Sequence, residues 1–256
     1  MTQAVGDGVS LTVGQMSPED IFAVYARPLG IGGIAMAGII GILRSSGIIG
    51  RAVKLAGTEL TGKRTSAIDE PRTQSDLSMK FITLGVIVTL VVTMLFFQFN
   101  VLFNWGHTLI SLLIVFIITF LFTTVAANAI AIVGSNPVSG MTLMTLLLTS
   151  VVLVGVGVSG KPGMTAAMII GGVVCTALST AGGFITDLKI GYWLGTTPKN
   201  QEKWKFLGVL VASVTVAGVM MILNKTYGFT GDQALVAPQA NAMAAVIKPL
   251  MEGGNT

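Results

Sequence analysis

From Phe81 to Gly160 the chain runs for eighty residues without one Asp, Glu, Lys or Arg. Only Lys161 interrupts the uncharged stretch before Asp187. Soluble domains carry about 25% charged residues. Here charged residues are 10% of the chain and apolar residues 52%. That composition excludes disorder, a coiled coil and an ordinary cytosolic enzyme. The fold class expected is all-α: a polytopic integral membrane helical bundle.

A spanning helix needs about 20 mostly apolar residues. Six stretches meet that need and are expected to be transmembrane: 28–49, 81–99, 108–133, 141–158, 164–185 and 206–223. They form a single membrane domain. Residues 1–27 are expected to be an extracytoplasmic segment, and 50–80 and 186–205 cytoplasmic loops. Residues 224–256 read as an extracytoplasmic tail or the start of a further span. The shorter apolar stretch Ala240–Met251, with Lys248 and Pro249, lies at the interface or begins that span. The N-terminus shows no basic region followed by an apolar core, so no signal peptide is expected.

Charge sets the orientation. The first loop holds Arg51, Lys54, Lys63, Arg64, Arg72 and Lys80, and the second holds Lys189, Lys199, Lys203 and Lys205. The opposite side has only Arg27, Lys161, Lys225 and Lys248. The positive-inside rule places the two loops in the cytoplasm and both termini outside. Trp105 and Tyr227 fall at outer boundaries, and Tyr192, Trp193 and Trp204 near the inner one, as an aromatic belt requires. The pI of about 9.3 therefore reflects topology and implies no nucleic-acid partner. The first loop also carries Glu59, Asp69, Glu70, Asp76 and Pro71, and reads as a solvated linker.

Several chemistries are excluded by count. Cys175 is the only cysteine and His107 the only histidine. No internal disulfide, Cys-based metal site, His cluster or Ser-His-Asp triad is available. No nucleotide-binding loop is visible, so neither an enzyme nor a cofactor is expected. Cys175 and the 13 methionines read as packing, and His107 as interfacial. Gly33, Ala37 and Gly41 share a stripe that suits close helix packing. Arg44 reads as a residue that snorkels to the surface, with anionic-substrate binding the alternative.

Three segments could carry chemistry. Gly134-Ser135-Asn136-Pro137-Val138-Ser139-Gly140-Met141 separates two apolar spans without a charge. Pro137 removes a backbone donor and breaks the helix. Broken backbone near membrane depth is tolerated only beside protein or a watery cavity, and transporters build binding sites this way. On that reading Ser135, Asn136, Pro137, Ser139 and Gly140 line a substrate path. The alternative is a tight cytoplasmic turn. Next, Asp187 and Lys189 stand at the inner end of the fifth span. An ionisable group beside a membrane path is a functional candidate by default, and Asp187 could take up and release a proton. The alternative is an interfacial acid–base pair, with Lys199, Lys203 and Lys205 as topology determinants. Third, Ala237-Pro238-Gln239-Ala240-Asn241 offers two amides, Gln239 and Asn241, to line a cavity or start a helix.

These segments together resemble the oligopeptide transporter superfamily, which includes the yellow stripe-like metal-chelate transporters. The likeness follows chain order: Tyr25-Ala26-Arg27 with Gly30-Ile31-Gly32-Gly33-Ile34-Ala35, then Arg44-Ser45-Ser46, then Gly134–Met141. It continues in Asp187-Leu188-Lys189-Ile190-Gly191-Tyr192, Gly195-Thr196-Thr197-Pro198 and Ala237-Pro238-Gln239-Ala240. The prokaryotic branch is the closer likeness. The resemblance implies proton-driven uptake of small peptides, or alternatively of metal chelates, through alternating access in the cytoplasmic membrane. Family members are much longer, so this chain resembles a middle portion. That implies a fragment, a truncated gene, or a split transporter in which a second chain supplies the missing helices. A non-transporting scaffold or partner subunit is the reading from another class.

Overall fold

The computed structural model describes residues 2–4, 10–12, 16–44, 47, 50–51, 53–54, 57–58, 71–134, 138–229 and 238–252. A short antiparallel hairpin, β1 (Thr2–Ala4) and β2 (Ser10–Thr12), precedes an all-α bundle. The helices are α1 (Pro18–Ile21), α2 (Arg27–Arg44), α3 (Met79–Phe97), α4 (Trp105–Val133), α5 (Val138–Gly155), α6 (Gly160–Leu194), α7 (Pro198–Thr226) and α8 (Pro238–Glu252). Wide π-helical turns join α1 to α2 at Phe22–Ala26 and extend α3 at Gln98–Leu102.

Local chemistry sets the helix ends. Asn104 Oδ1 accepts the Gly106 N–H at 2.9 Å and so caps the start of α4. Gly134, at φ 79°, closes its other end through an N–H bond to the Ile130 carbonyl. Gly195, at φ 69°, ends α6, and Pro198 opens α7 at the first helical position, where a missing N–H costs nothing.

α6 is the centre of the bundle. Its Ala166, Ala167, Ile170, Val174 and Leu178 are fully buried. α4 covers one side with Ile114, Val115, Ile118, Phe122, Ala126 and Ile130, and α5 brings Met144, Leu146 and Leu153. The small residues of α6 let its neighbours approach closely, which is the basis of helix packing in lipid. The periphery differs. α7 has no buried residue, and most of α3 is exposed apolar surface. A helix that is apolar all round without being buried belongs in hydrocarbon.

Among the described residues, four helical segments are long and apolar enough to cross a membrane: Met79–Leu102, Trp105–Ile132, Gly160–Leu194 and Pro198–Thr226. The apolar part of α5, Gly140–Gly155, is shorter, and α2 has 18 residues. The protein is a multi-pass integral membrane helical bundle.

Two sequence expectations change. Residues 186–205 are not an open loop: α6 continues to Leu194, α7 begins at Pro198, and only Gly195–Thr197 lie between. Hydropathy marks where apolar residues stop, whereas the 35 residues of α6 rise about 52 Å, well past a hydrocarbon core of about 30 Å. The stretch read as a linker contains helical residues at Gly50, Arg51, Val53, Lys54, Gly57 and Thr58. Its part from residue 59 to residue 70 lies outside the described residues. α8 joins the core, with Ile247 and Met251 each 2% exposed.

Candidate functional site

The end of the bundle where α4 stops and α5 starts is also where α6 turns into α7. The chain break opens there, at Gly134. Ser135, Asn136 and Pro137 lie outside the described residues, as does the side chain of Ser139. Gly140 sits in the first turn of α5 and is half-buried.

Two lysines give this end its geometry. Lys189 Nζ donates to the Ala131 carbonyl at 3.3 Å, in the last turn of α4 and three residues before Gly134. A cation suits that place, since the last carbonyls of a helix lack intrahelical donors and carry its negative end. The ammonium also stands 6.0 Å from the centre of the Trp193 ring. Lys205 on α7 pairs with Asp187 on α6, Nζ to Oδ2 at 2.5 Å. Asp187 therefore has a basic partner, but it is not Lys189. Residues two apart on a helix point to nearly opposite sides, so Asp187 and Lys189 cannot face each other. Lys205, read as a topology determinant, is the residue that sequence reasoning missed. The Asp187 side chain remains 51% exposed and that of Lys205 30%. At such exposure the pair is worth about 1 kcal/mol or less in stability.

The segment before α3 clamps the α6–α7 turn. Arg72 Nη2 donates to the Gly195 carbonyl at 3.2 Å, and the Lys199 N–H donates to the Ser75 carbonyl at 3.0 Å. The Leu77 N–H donates to Glu202 Oε2 at 2.8 Å, which sets a carboxylate at the electropositive start of α3. Residues 72–77 thus meet the α6–α7 turn at one end of the bundle.

Gly191 lets the Gln201 and Thr196 side chains lie against α6. A Cβ there would collide with the Gln201 amide and with Thr196 Oγ1. Gly191→Val is expected to pry α7 from α6 at this end, at a cost of about 1–3 kcal/mol. Thermal unfolding in detergent checks this, and an unchanged midpoint would contradict the close approach.

The remaining candidates lie elsewhere. Gln239 and Asn241 are in the first turns of α8; Asn241 is exposed, and the Gln239 side chain is outside the described residues. The last turn of α8 reaches the opposite end of the bundle, where a Cβ on Gly163 would lie 3.1 Å from Met251 Sδ.

The interior holds hydroxyls that the sequence reading passed over. Thr83, Thr124 and Thr145 return theirs to the carbonyl four residues back. The hydroxyls of Ser111, Thr119, Thr123, Thr149 and Ser150 are buried without a protein partner. Such groups call for a water or a ligand, because an unmet hydroxyl in an apolar interior is costly. Their only sequence signal is a hydroxyl recurring in an otherwise apolar span. Among the described residues no three His, Cys, Asp or Glu side chains gather as metal ligands.

The model of the family described as OPT oligopeptide transporter protein matches residues 3–256. The chain belongs to the oligopeptide transporter family. A Haemophilus influenzae protein named "Putative oligopeptide transporter" is 32% identical over 164 residues, covering 54% of this chain and 26% of that protein. The chain thus spans about a quarter of the length of the curated relative it matches. No solved structure matches.

Proposed function

We propose that the chain is part of a secondary active transporter that moves small oligopeptides across the cytoplasmic membrane, coupled to protons. The observation that carries the reading is the family match over residues 3–256, joined to a helix break and an Asp–Lys pair at one end of the bundle. In this reading Ser135, Asn136, Pro137, Ser139 and Gly140 line the substrate path, with Gln239 and Asn241 as further lining residues. Lys189 positions the broken end of α4 by holding the Ala131 carbonyl. Asp187 exchanges the coupling proton, and Lys205 holds the carboxylate between turnovers. The six predicted spans cross the bilayer with the basic end in the cytoplasm and both termini outside. Metal chelates are the alternative substrate class, and a panel of labelled peptides and iron chelates separates the two.

Asn136→Ala is expected to raise KM for peptide uptake about tenfold or to change which peptides compete, since one hydrogen bond to a bound substrate contributes about 1–1.5 kcal/mol. Unchanged uptake kinetics would make the segment a plain turn. A second reading is a partner subunit that acts with a second chain supplying further helices. Uptake that appears only on co-expression of such a chain supports that reading.

A further inference from the structure

Between α6 and α7 lies a notch of about 390 Å³, lined by Asp187, Gln201, Lys205, Phe184, Leu188 and Trp204 among others. That size falls in the range usual for small-molecule sites, about 300–1,000 Å³. The notch sits where the apolar runs of both helices end. Its Asp187 side chain is 51% exposed, so a dissolved ligand reaches it from water.

The charges of the notch cancel. Asp187 brings one carboxylate and Lys205 one ammonium, and no other ionisable side chain among the described residues lines it. The pair leaves hydrogen-bonding capacity unspent. Only Oδ2 of Asp187 meets Lys205, so Oδ1 is open to a donor. An ammonium has three donors, and Lys205 Nζ uses one of them here. Its place is set by Gly183, where a Cβ would stand 3.3 Å from Nζ. The ammonium thus rests over bare backbone, one helical turn from Asp187. The Gln201 amide lies against Gly191 and has no hydrogen-bond partner among the described residues. An amide offers a donor and an acceptor together. Phe184, Leu188 and the exposed Trp204 ring add apolar wall.

A net anion or cation would gain from one member of the pair and be opposed by the other. A zwitterion gains from both, through charge-assisted hydrogen bonds. We propose that this notch binds the free ends of a short peptide: its ammonium at Asp187 Oδ1, its carboxylate at Lys205 Nζ, and a peptide group at the Gln201 amide. The choice of a peptide rests on the transport reading. The reading of free ends rests on the notch alone.

The test is equilibrium dialysis of the detergent-purified full chain against labelled leucyl-leucine, its N-acetyl form and its C-terminal amide. The free dipeptide is expected to be retained, and blocking either end should weaken binding about tenfold, the effect of one hydrogen bond to a charged group. The variants should cross over. Asp187→Asn loses the discrimination against the N-acetyl form and keeps that against the amide, whereas Lys205→Gln does the reverse. Both side chains are partly exposed, so both variants keep their fold. A pair that only fastens α7 to α6 would change both discriminations alike, or neither, and that result would overturn the proposal. Equal retention of the three peptides, or retention of none, would overturn it as well. Uptake of end-blocked peptides as fast as free ones would sink this inference and leave transport standing. Free-end binding without any uptake would sink the transport reading and leave the notch.

Discussion

Gly171→Ala is expected to destabilise the bundle by about 2 kcal/mol, within the usual range of 1–3 kcal/mol for overpacking a tight core. A Cβ at this position would stand 2.5 Å from Leu146 Cδ2 and 3.1 Å from its Cγ. Leu146 is only 1% exposed and has little space into which to retreat. The contact joins α5 to α6, the helix around which the rest of the core is arranged. In lipid no hydrophobic driving force pulls helices together, so lost packing is poorly compensated. Leu146→Ala in the same chain should restore part of the loss, because the offending side chain is gone. Unfolding in denaturant with detergent held constant checks both variants. A Gly171→Ala protein as stable as the parent would mean that α5 and α6 do not approach this closely.

Asp187→Asn is expected to leave the protein folded while abolishing the response of uptake to a pH gradient. The stability effect is small because the partner Lys205 and the carboxylate are both partly exposed. The functional effect is large because an amide holds the same shape and cannot exchange a proton. Lys205→Gln separates two roles. If the pair only fastens α7 to α6, both variants lose the same stability and keep their pH response. If Asp187 carries the proton, Asp187→Asn loses the response, whereas Lys205→Gln keeps it.

The membrane bundle was legible because the pattern that encodes it is long. Eighty uncharged residues have no soluble solution, and the apolar runs located α3 to α7 to within a few residues of their apolar parts. What the pattern could not show is where a helix stops once it has left the hydrocarbon. Hydropathy ends the fifth span at residue 185, but helical hydrogen bonding carries α6 on to Leu194. α8 was obscured for a similar reason, since Lys248 and Pro249 mask the buried pair Ile247 and Met251.

The candidate site divides along the same line. Asp187 and the break at Gly134 could be found from the sequence, because a charge and a proline are conspicuous within apolar runs. The partners could not. Lys205 is 18 residues from Asp187, and Lys189 is 58 from Ala131; both contacts exist only because α6 packs between α4 and α7. Glu202 and Leu77 are separated by 125 residues, a pairing no local pattern contains. The buried hydroxyls of Thr149 and Ser150 gave almost no signal, since serine and threonine are ordinary in spanning helices.

The most direct measurement places the chain in liposomes, with any chain that supplies further helices, and follows entry of a labelled small peptide. An inward proton gradient should accelerate uptake severalfold, and collapsing the gradient with a protonophore should return it to the basal rate. Asp187→Asn should show the basal rate under both conditions. Peptide uptake that ignores the gradient in the parent protein, or a proton response that survives Asp187→Asn intact, would contradict coupling through Asp187.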